Sequence, residues 1–193
     1  MNIGTIAVIG AGELGRAIAF FALRGCYRVV LEDVSETSLQ RAIAAIRENV
    51  AEDVSAARIN RGLCEQTLLR LTTSRRVEDA AREADFIIET VADELELKLE
   101  LFTIFDKFAK PGAILASTTQ SLSIDDFADM TFCAERCVGM RFARGMHNER
   151  RVELVRGRET STQTVEACRE VARRMGVDII ESRDARTLLA GHG

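Results

Sequence analysis

Histidine is scarce in this chain. Two occur among 193 residues, His147 and His192, so chemistry that needs an imidazole base has few candidates. Proline occurs once, at Pro111, and no linker, internal repeat or low-complexity tract interrupts the sequence. No apolar run approaches the ~20 residues that cross a bilayer. The stretch from Gly4 to Ile9 is too short for a secretion signal and leads straight into a glycine loop. Basic residues are not in excess: 26 Lys and Arg against 30 Asp and Glu give a net charge of -4, no basis for nucleic-acid binding. The five cysteines, Cys26, Cys64, Cys133, Cys137 and Cys168, are odd in number and scattered, which fits reduced thiols in a cytoplasmic protein. Cys133 and Cys137 with His147 match no zinc spacing and read as core thiols beside a loop; no metal is expected.

What is present begins at residue 5. The apolar run Thr5 to Ile9 ends in Gly10-Ala11-Gly12-Glu13-Leu14-Gly15, a Gly-x-Gly-x-x-Gly loop, and Arg16 to Leu23 continue as a helix. A second apolar run, Val29-Val30-Leu31, ends in Glu32-Asp33 about 20 residues on. A strand-turn-helix that holds a dinucleotide pyrophosphate needs this arrangement. Gly10 permits the turn, Gly12 leaves room for phosphate, and Gly15 lets helix and strand approach. The helix N-terminus presents N–H groups to the anion. Asp33 is placed to bond the adenosine ribose, and the pair Glu32-Asp33 repels a 2′-phosphate, so NAD is expected over NADP. Arg16 and Arg28 read as solvated surface charges.

The rest of the chain alternates between the two periods. Helices are expected over Ser38 to Val50, Val77 to Glu83, Glu94 to Lys110, from Ser123 onward, and over Thr162 to Met175. Strands are expected at Leu71-Thr72, Phe86 to Ile88, Ala113 to Ala116, Cys137 to Phe142, Val152 to Val155 and Val177 to Ile180. Glu52 to Leu69 reads as a polar excursion of short helices. Hydrophobic residues, 47% of the chain, suffice for one full core. The pattern predicts a single α/β domain of Rossmann type, with a doubly wound, mostly parallel sheet over residues 1–183 and a short tail over 184–193.

Further segments carry a resemblance: Asp85-Phe86-Ile87-Ile88-Glu89-Thr90-Val91, Leu95-Glu96-Leu97-Lys98, Ser121-Leu122-Ser123-Ile124, Val138-Gly139-Met140 and Val152-Glu153-Leu154-Val155-Arg156-Gly157. With the glycine loop, and in this order, they resemble the NAD-binding domain of L-3-hydroxyacyl-CoA dehydrogenases. The resemblance implies cofactor contacts at Gly10, Gly12, Glu13, Leu14, Gly15, Asp33, Thr90, Val91, Asp93, Lys98 and Thr118. It places the reactive half of the site at Arg141, Glu153, Gln120 and Ser121.

That half departs from the family. The catalytic histidine after the Gly-Met pair is Arg141, its glutamate partner is Glu153, the substrate asparagine is Arg144, and the active-site serine is Gln120 with Ser121 beside it. Arginine stays protonated and takes no proton from a hydroxyl. His147 falls in a loop and His192 near the end of the chain. Family enzymes continue into a helical domain that walls the acyl-CoA pocket, and 193 residues leave no room for it. The expectation is therefore an NAD(H)-binding Rossmann protein without histidine-dependent dehydrogenase activity of its own. The alternative is a working NAD-dependent oxidoreductase that acts with a partner chain or on a smaller substrate. A small anionic or acyl-CoA ligand, and a partner chain or homodimer, are the expected partners; a membrane is not. Arg141 is expected to pair with Glu153 in an open cleft, exposed to solvent.

Overall fold

A computed structural model describes residues 2–56, 66–143, 146 and 150–182. Eight strands form one sheet in the order β3-β2-β1-β4-β5-β6-β7-β8. They are β1 (Thr5–Ile9), β2 (Arg28–Glu32), β3 (Leu71–Ser74), β4 (Phe86–Glu89), β5 (Ile114–Ser117), β6 (Cys137–Phe142), β7 (Arg151–Arg156) and β8 (Asp178–Ser182). Neighbours run parallel except β6 and β7, which are antiparallel. The helices are α1 (Glu13–Arg24), α2 (Glu36–Ser55), α3 (Val77–Glu83), α4 (Leu95–Phe108), α5 (Ile124–Ala128) and α6 (Thr162–Met175).

Alternation along the strands sorts the core into two layers. Ile6 and Val8 of β1 join Ile18, Phe21, Leu39, Ile46 and Val171 from α1, α2 and α6 on one face. Ala7 and Ile9 join Ala80, Phe102, Phe105 and Phe127 from α3, α4 and α5 on the other. Strands buried on both faces read as continuous apolar runs, which is why β1, β4 and β5 were legible as such. Ser35 caps α2 by accepting from the Ser38 N–H at 3.2 Å. Ser161 caps α6 by accepting from the Thr164 N–H at 3.1 Å. Gly176 ends α6 at φ +70°, a conformation glycine takes without strain.

The expected excursion over Glu52 to Leu69 is corrected at its start. Helix α2 continues to Ser55, because Asp53 turns inward and pairs with Arg24 at 3.1 Å. Residues 57–65 lie outside the described residues, as do Arg144, His147 and the expected tail 184–193 with His192. Among the described residues no helix is long and apolar enough to cross a membrane.

Candidate functional site

The β1–α1 turn has the geometry the glycines require. Gly10 adopts φ +101°, and a Cβ there would meet the Thr90 Oγ1 at 2.9 Å. A Cβ on Gly15 would lie 1.9 Å from the Gly10 carbonyl oxygen, so only hydrogen fits between helix and turn. A Cβ on Gly12 would meet nothing within 4 Å; the space above it is open. Gly12 is also the N-cap of α1 and supplies no side-chain acceptor to the first turn. Free N–H groups at a helix N-terminus beside open space fit an anionic pyrophosphate.

Asp33, just past β2, fixes this turn. Its Oδ2 accepts from the Ala11 N–H at 2.9 Å and its Oδ1 from the Ser35 N–H at 2.8 Å. The Gly10 N–H donates to the Glu32 carbonyl at 2.8 Å, tying the loop to the same strand end. The Glu32 side chain is buried, its Oε1 accepts no hydrogen bond, and its carboxyl is pushed up to about 7 by burial and by the charges of Asp33 and Glu78.

Beyond the turn lies a cleft of about 470 Å³ at the C-terminal ends of β4, β5 and β6. Glu13, Leu14, Arg16 and Ala17 form its α1 wall. Thr90, Val91, Asp93, Lys98, Thr118 and Gln120 form its floor, and Phe142 and Met146 close the far side. Seven of the cofactor positions implied by the resemblance therefore share one cavity: Glu13, Leu14, Thr90, Val91, Asp93, Lys98 and Thr118. Arg16, read as a surface charge, lines the cleft instead.

The floor is held by a buried polar network centred on a residue the sequence reading passed over. Glu89, the last residue of β4, is fully buried. It accepts from the Lys98 Nζ at 2.7 Å through both oxygens, from the Ser117 Oγ at 2.7 Å and from the Val91 N–H at 2.6 Å. Lys98 is buried too, and its ammonium is met by the Glu89 carboxylate rather than by solvent. Asp93 lies 3.6 Å from Lys98. Its Oδ2 accepts from the Ser121 Oγ at 2.9 Å and from the Gln120 and Ser121 N–H groups at 3.2 and 3.3 Å. Burial raises the Asp93 carboxyl, but hydrogen bonds from Thr119, Ser121 and Gln120, with the charge of Lys98, outweigh it and hold the group low. The Gln120 amide donates to the Thr118 carbonyl at 3.1 Å.

Arg141 and Glu153 stand opposite each other in the antiparallel β6–β7 pair. The Arg141 Nη1 lies 3.7 Å from the Glu153 Oε2. The pairing is as expected, but its exposure is not: each residue is 6% exposed. The cause is local. Arg141 points to the α5 face, where the 118–122 segment covers it, and its Nε donates to the Thr119 carbonyl at 2.8 Å. Phe142, its neighbour on the opposite face, reaches the cleft; Arg141 does not line it. Neither Glu153 oxygen accepts a hydrogen bond, and the Arg141 Nη2 donates none. The arrangement neutralises charge and props up the Thr119 backbone. The guanidinium itself offers no proton acceptor, because it remains protonated. Among the described residues no group of His, Cys, Asp and Glu is placed to hold a metal.

The chain matches the family model described as 3-hydroxyacyl-CoA dehydrogenase, NAD binding domain, over residues 5–185. It is 35% identical over 179 residues to a 3-hydroxybutyryl-CoA dehydrogenase of Bradyrhizobium diazoefficiens, covering 93% of this chain and 61% of that protein. It is 30% identical over 184 residues to a probable 3-hydroxybutyryl-CoA dehydrogenase of Bacillus subtilis, covering 95% and 64%. Among solved structures, 3-hydroxybutyryl-CoA dehydrogenase from Escherichia coli K12 superposes with a TM-score of 0.88 at 31% identity, covering 94% of this chain and 38% of that one. The chain thus spans about three fifths of the length of the two relatives matched by sequence.

Proposed function

Because this chain belongs to the 3-hydroxyacyl-CoA dehydrogenase family, as its NAD-binding domain, we propose that it binds NAD(H) and does not by itself oxidise 3-hydroxyacyl thioesters. One observation carries this reading. Beside an intact cofactor turn, the position of the family's base is Arg141, buried against Glu153 and the Thr119 carbonyl.

The roles follow from the geometry. The N–H groups at the start of α1 and the open space at Gly12 take the pyrophosphate. Asp33 keeps acceptor capacity for the adenosine ribose and, with Glu32 alongside, disfavours a 2′-phosphate. Thr90, Val91 and Thr118 line the part of the cleft nearest the strand ends, where the nicotinamide belongs. When bound, the nicotinamide supplies hydride chemistry. Lys98 and Glu89 hold the floor, and Asp93 fixes Gln120 and Ser121 above it.

Removing a proton from a substrate hydroxyl needs a group whose pKa lies near the working pH. The Arg141 guanidinium takes no proton from a hydroxyl. Asp93 lies below that range, held there by the bonds that fix the loop. The localisation consistent with this reading is the cytoplasm, and the ligand beside the cofactor is small and anionic or an acyl-CoA.

Calorimetric titration with NADH and NADPH tests the cofactor half of the proposal. NADH binding with a clear margin over NADPH is expected. Equal or tighter NADPH binding overturns the role given to Asp33.

A further inference from the structure

The charged groups around the cleft are not equivalent. Lys98 is paired with both oxygens of Glu89 and lies near Asp93; Asp93 is committed to Gln120 and Ser121. Arg141 is turned away under the Thr119 carbonyl. Arg16 alone among these cations lines the cleft with its guanidinium uncommitted. It makes no hydrogen bond or ion pair with any described residue. Glu13 stands three residues before it on α1, a spacing at which such pairs form, yet the two do not pair.

The surroundings of Arg16 give that freedom a consequence. It is half-buried, and it lines the same cleft as the apolar side chains Leu14, Ala17, Phe142 and Met146. A guanidinium beside apolar side chains, and partly removed from water, gains more from an oxyanion than an exposed one does. The pyrophosphate does not require it, because the N-terminus of α1 already offers N–H groups and a positive dipole end there. Arg16 lies further along the helix, in the α1 wall of the cleft, whereas Asp33 bonds the Ala11 N–H within the turn.

We propose that Arg16 is the anion-recognising residue of a second ligand, a small carboxylic acid that binds beside the nicotinamide between α1 and Phe142. The proposal rests on NAD(H) occupying the turn as set out above. It favours a small acid over a nucleotide carrier because Arg16 shares one cleft with Thr118 and Gln120, so the charge recognised lies close to the reacting end. Among the described residues the acid lining the cleft without a partner is Glu13, which is exposed and lowers the affinity without replacing the guanidinium.

The test is a calorimetric titration of the NADH-loaded protein with acetoacetate, with methyl acetoacetate and acetoacetyl-CoA as separate arms. NADH is titrated first, into the unsubstituted chain and into Arg16→Gln and Arg16→Lys. Acetoacetate is expected to bind the unsubstituted protein and the ester to bind poorly. Arg16→Gln is expected to weaken acetoacetate by about tenfold or more, the loss of one charge-assisted hydrogen bond. Arg16→Lys is expected to restore part of it, with NADH affinity changing less than about threefold in both variants. A parallel loss of NADH affinity would assign Arg16 to the dinucleotide and overturn the proposal. So would acetoacetate binding that ignores Arg16→Gln, no acetoacetate binding to the NADH complex, or an effect confined to acetoacetyl-CoA, which would point to the carrier's phosphates. A chain that does not bind NADH at all would show instead that the cofactor reading has failed, and the inference with it.

Discussion

Arg141 and Glu153 face each other across the antiparallel β6–β7 pair at 3.7 Å, both buried, where a proton acceptor and its carboxylate partner are implied by the chain's resemblance to its family. On the reading proposed above, the two positions face each other as such a pair would, with a guanidinium where the base would stand. What Arg141 does instead is structural: it neutralises Glu153 and holds the Thr119 carbonyl.

Removing one member of that pair should therefore be costly. Arg141→Ala leaves the Glu153 carboxylate buried without a counter-charge, and the expected loss is about 3–5 kcal/mol. Urea unfolding measures it. The double variant Arg141→Met, Glu153→Leu should recover most of the loss, because two well-packed apolar side chains of similar size replace a buried pair at little cost. A single variant that unfolds at the unsubstituted midpoint would contradict the buried assignment.

The two glycines of the turn separate binding from folding. Gly12→Ala adds a methyl into open space, so the melting temperature should hold while NADH affinity falls. Gly15→Ala drives a methyl against the Gly10 carbonyl oxygen, 1.9 Å away, and the protein should melt lower or fail to fold. Thermal unfolding and NADH titration of both variants check this. Equal NADH affinity in Gly12→Ala would remove the turn from the cofactor site.

Lys98→Met probes the cleft floor. It strands Glu89, whose oxygens also take the Ser117 hydroxyl and the Val91 N–H, and the expected cost is again about 3–5 kcal/mol. Adding Glu89→Gln should return part of that stability, since a neutral amide can share the Ser117 and Val91 contacts. Denaturant midpoints for the single and double variants decide it; no recovery would mean that the charge on Glu89 is not what Lys98 serves.

Glu32 sets a pH dependence of known sign. Its folded-state pKa is raised from 4.5 to about 7, so between those values the folded chain holds a proton that the unfolded chain has released. The stability contributed by this group is present below 4.5 and is lost as pH rises through about 7. Glu32→Gln should gain on the unsubstituted chain across that window and show no further gain above it. Unfolding midpoints at a series of pH values check this, and parallel curves would refute it.

Much of this was legible in the sequence for physical reasons. Buried parallel strands appear as apolar runs, and Gly10, Gly12 and Gly15 occupy positions where a side chain strains the turn, clashes or blocks the site. The end of α2 was not legible, because Asp53 looks like a surface acid until Arg24 on α1 is placed beside it. Glu89 was missed because Lys98 and Ser117 come from different elements and only the sheet brings them together. The weak signal was an acid closing the apolar run Phe86-Ile87-Ile88. The burial of Arg141 could not be read from β6 alone, since it depends on the 118–122 segment folding over that face.

The most direct test of the account is NADH formation, followed at 340 nm, from NAD⁺ and 3-hydroxybutyryl-CoA by protein already shown to bind NADH. The account predicts no appreciable turnover, at least about 10²–10⁴ below the ordinary range of enzymes, because Arg141 accepts no proton and a positioned base is worth about that factor in rate. Turnover at about 1 s⁻¹ or faster, within the ordinary range of enzymes, would contradict it and show that another residue serves as the base.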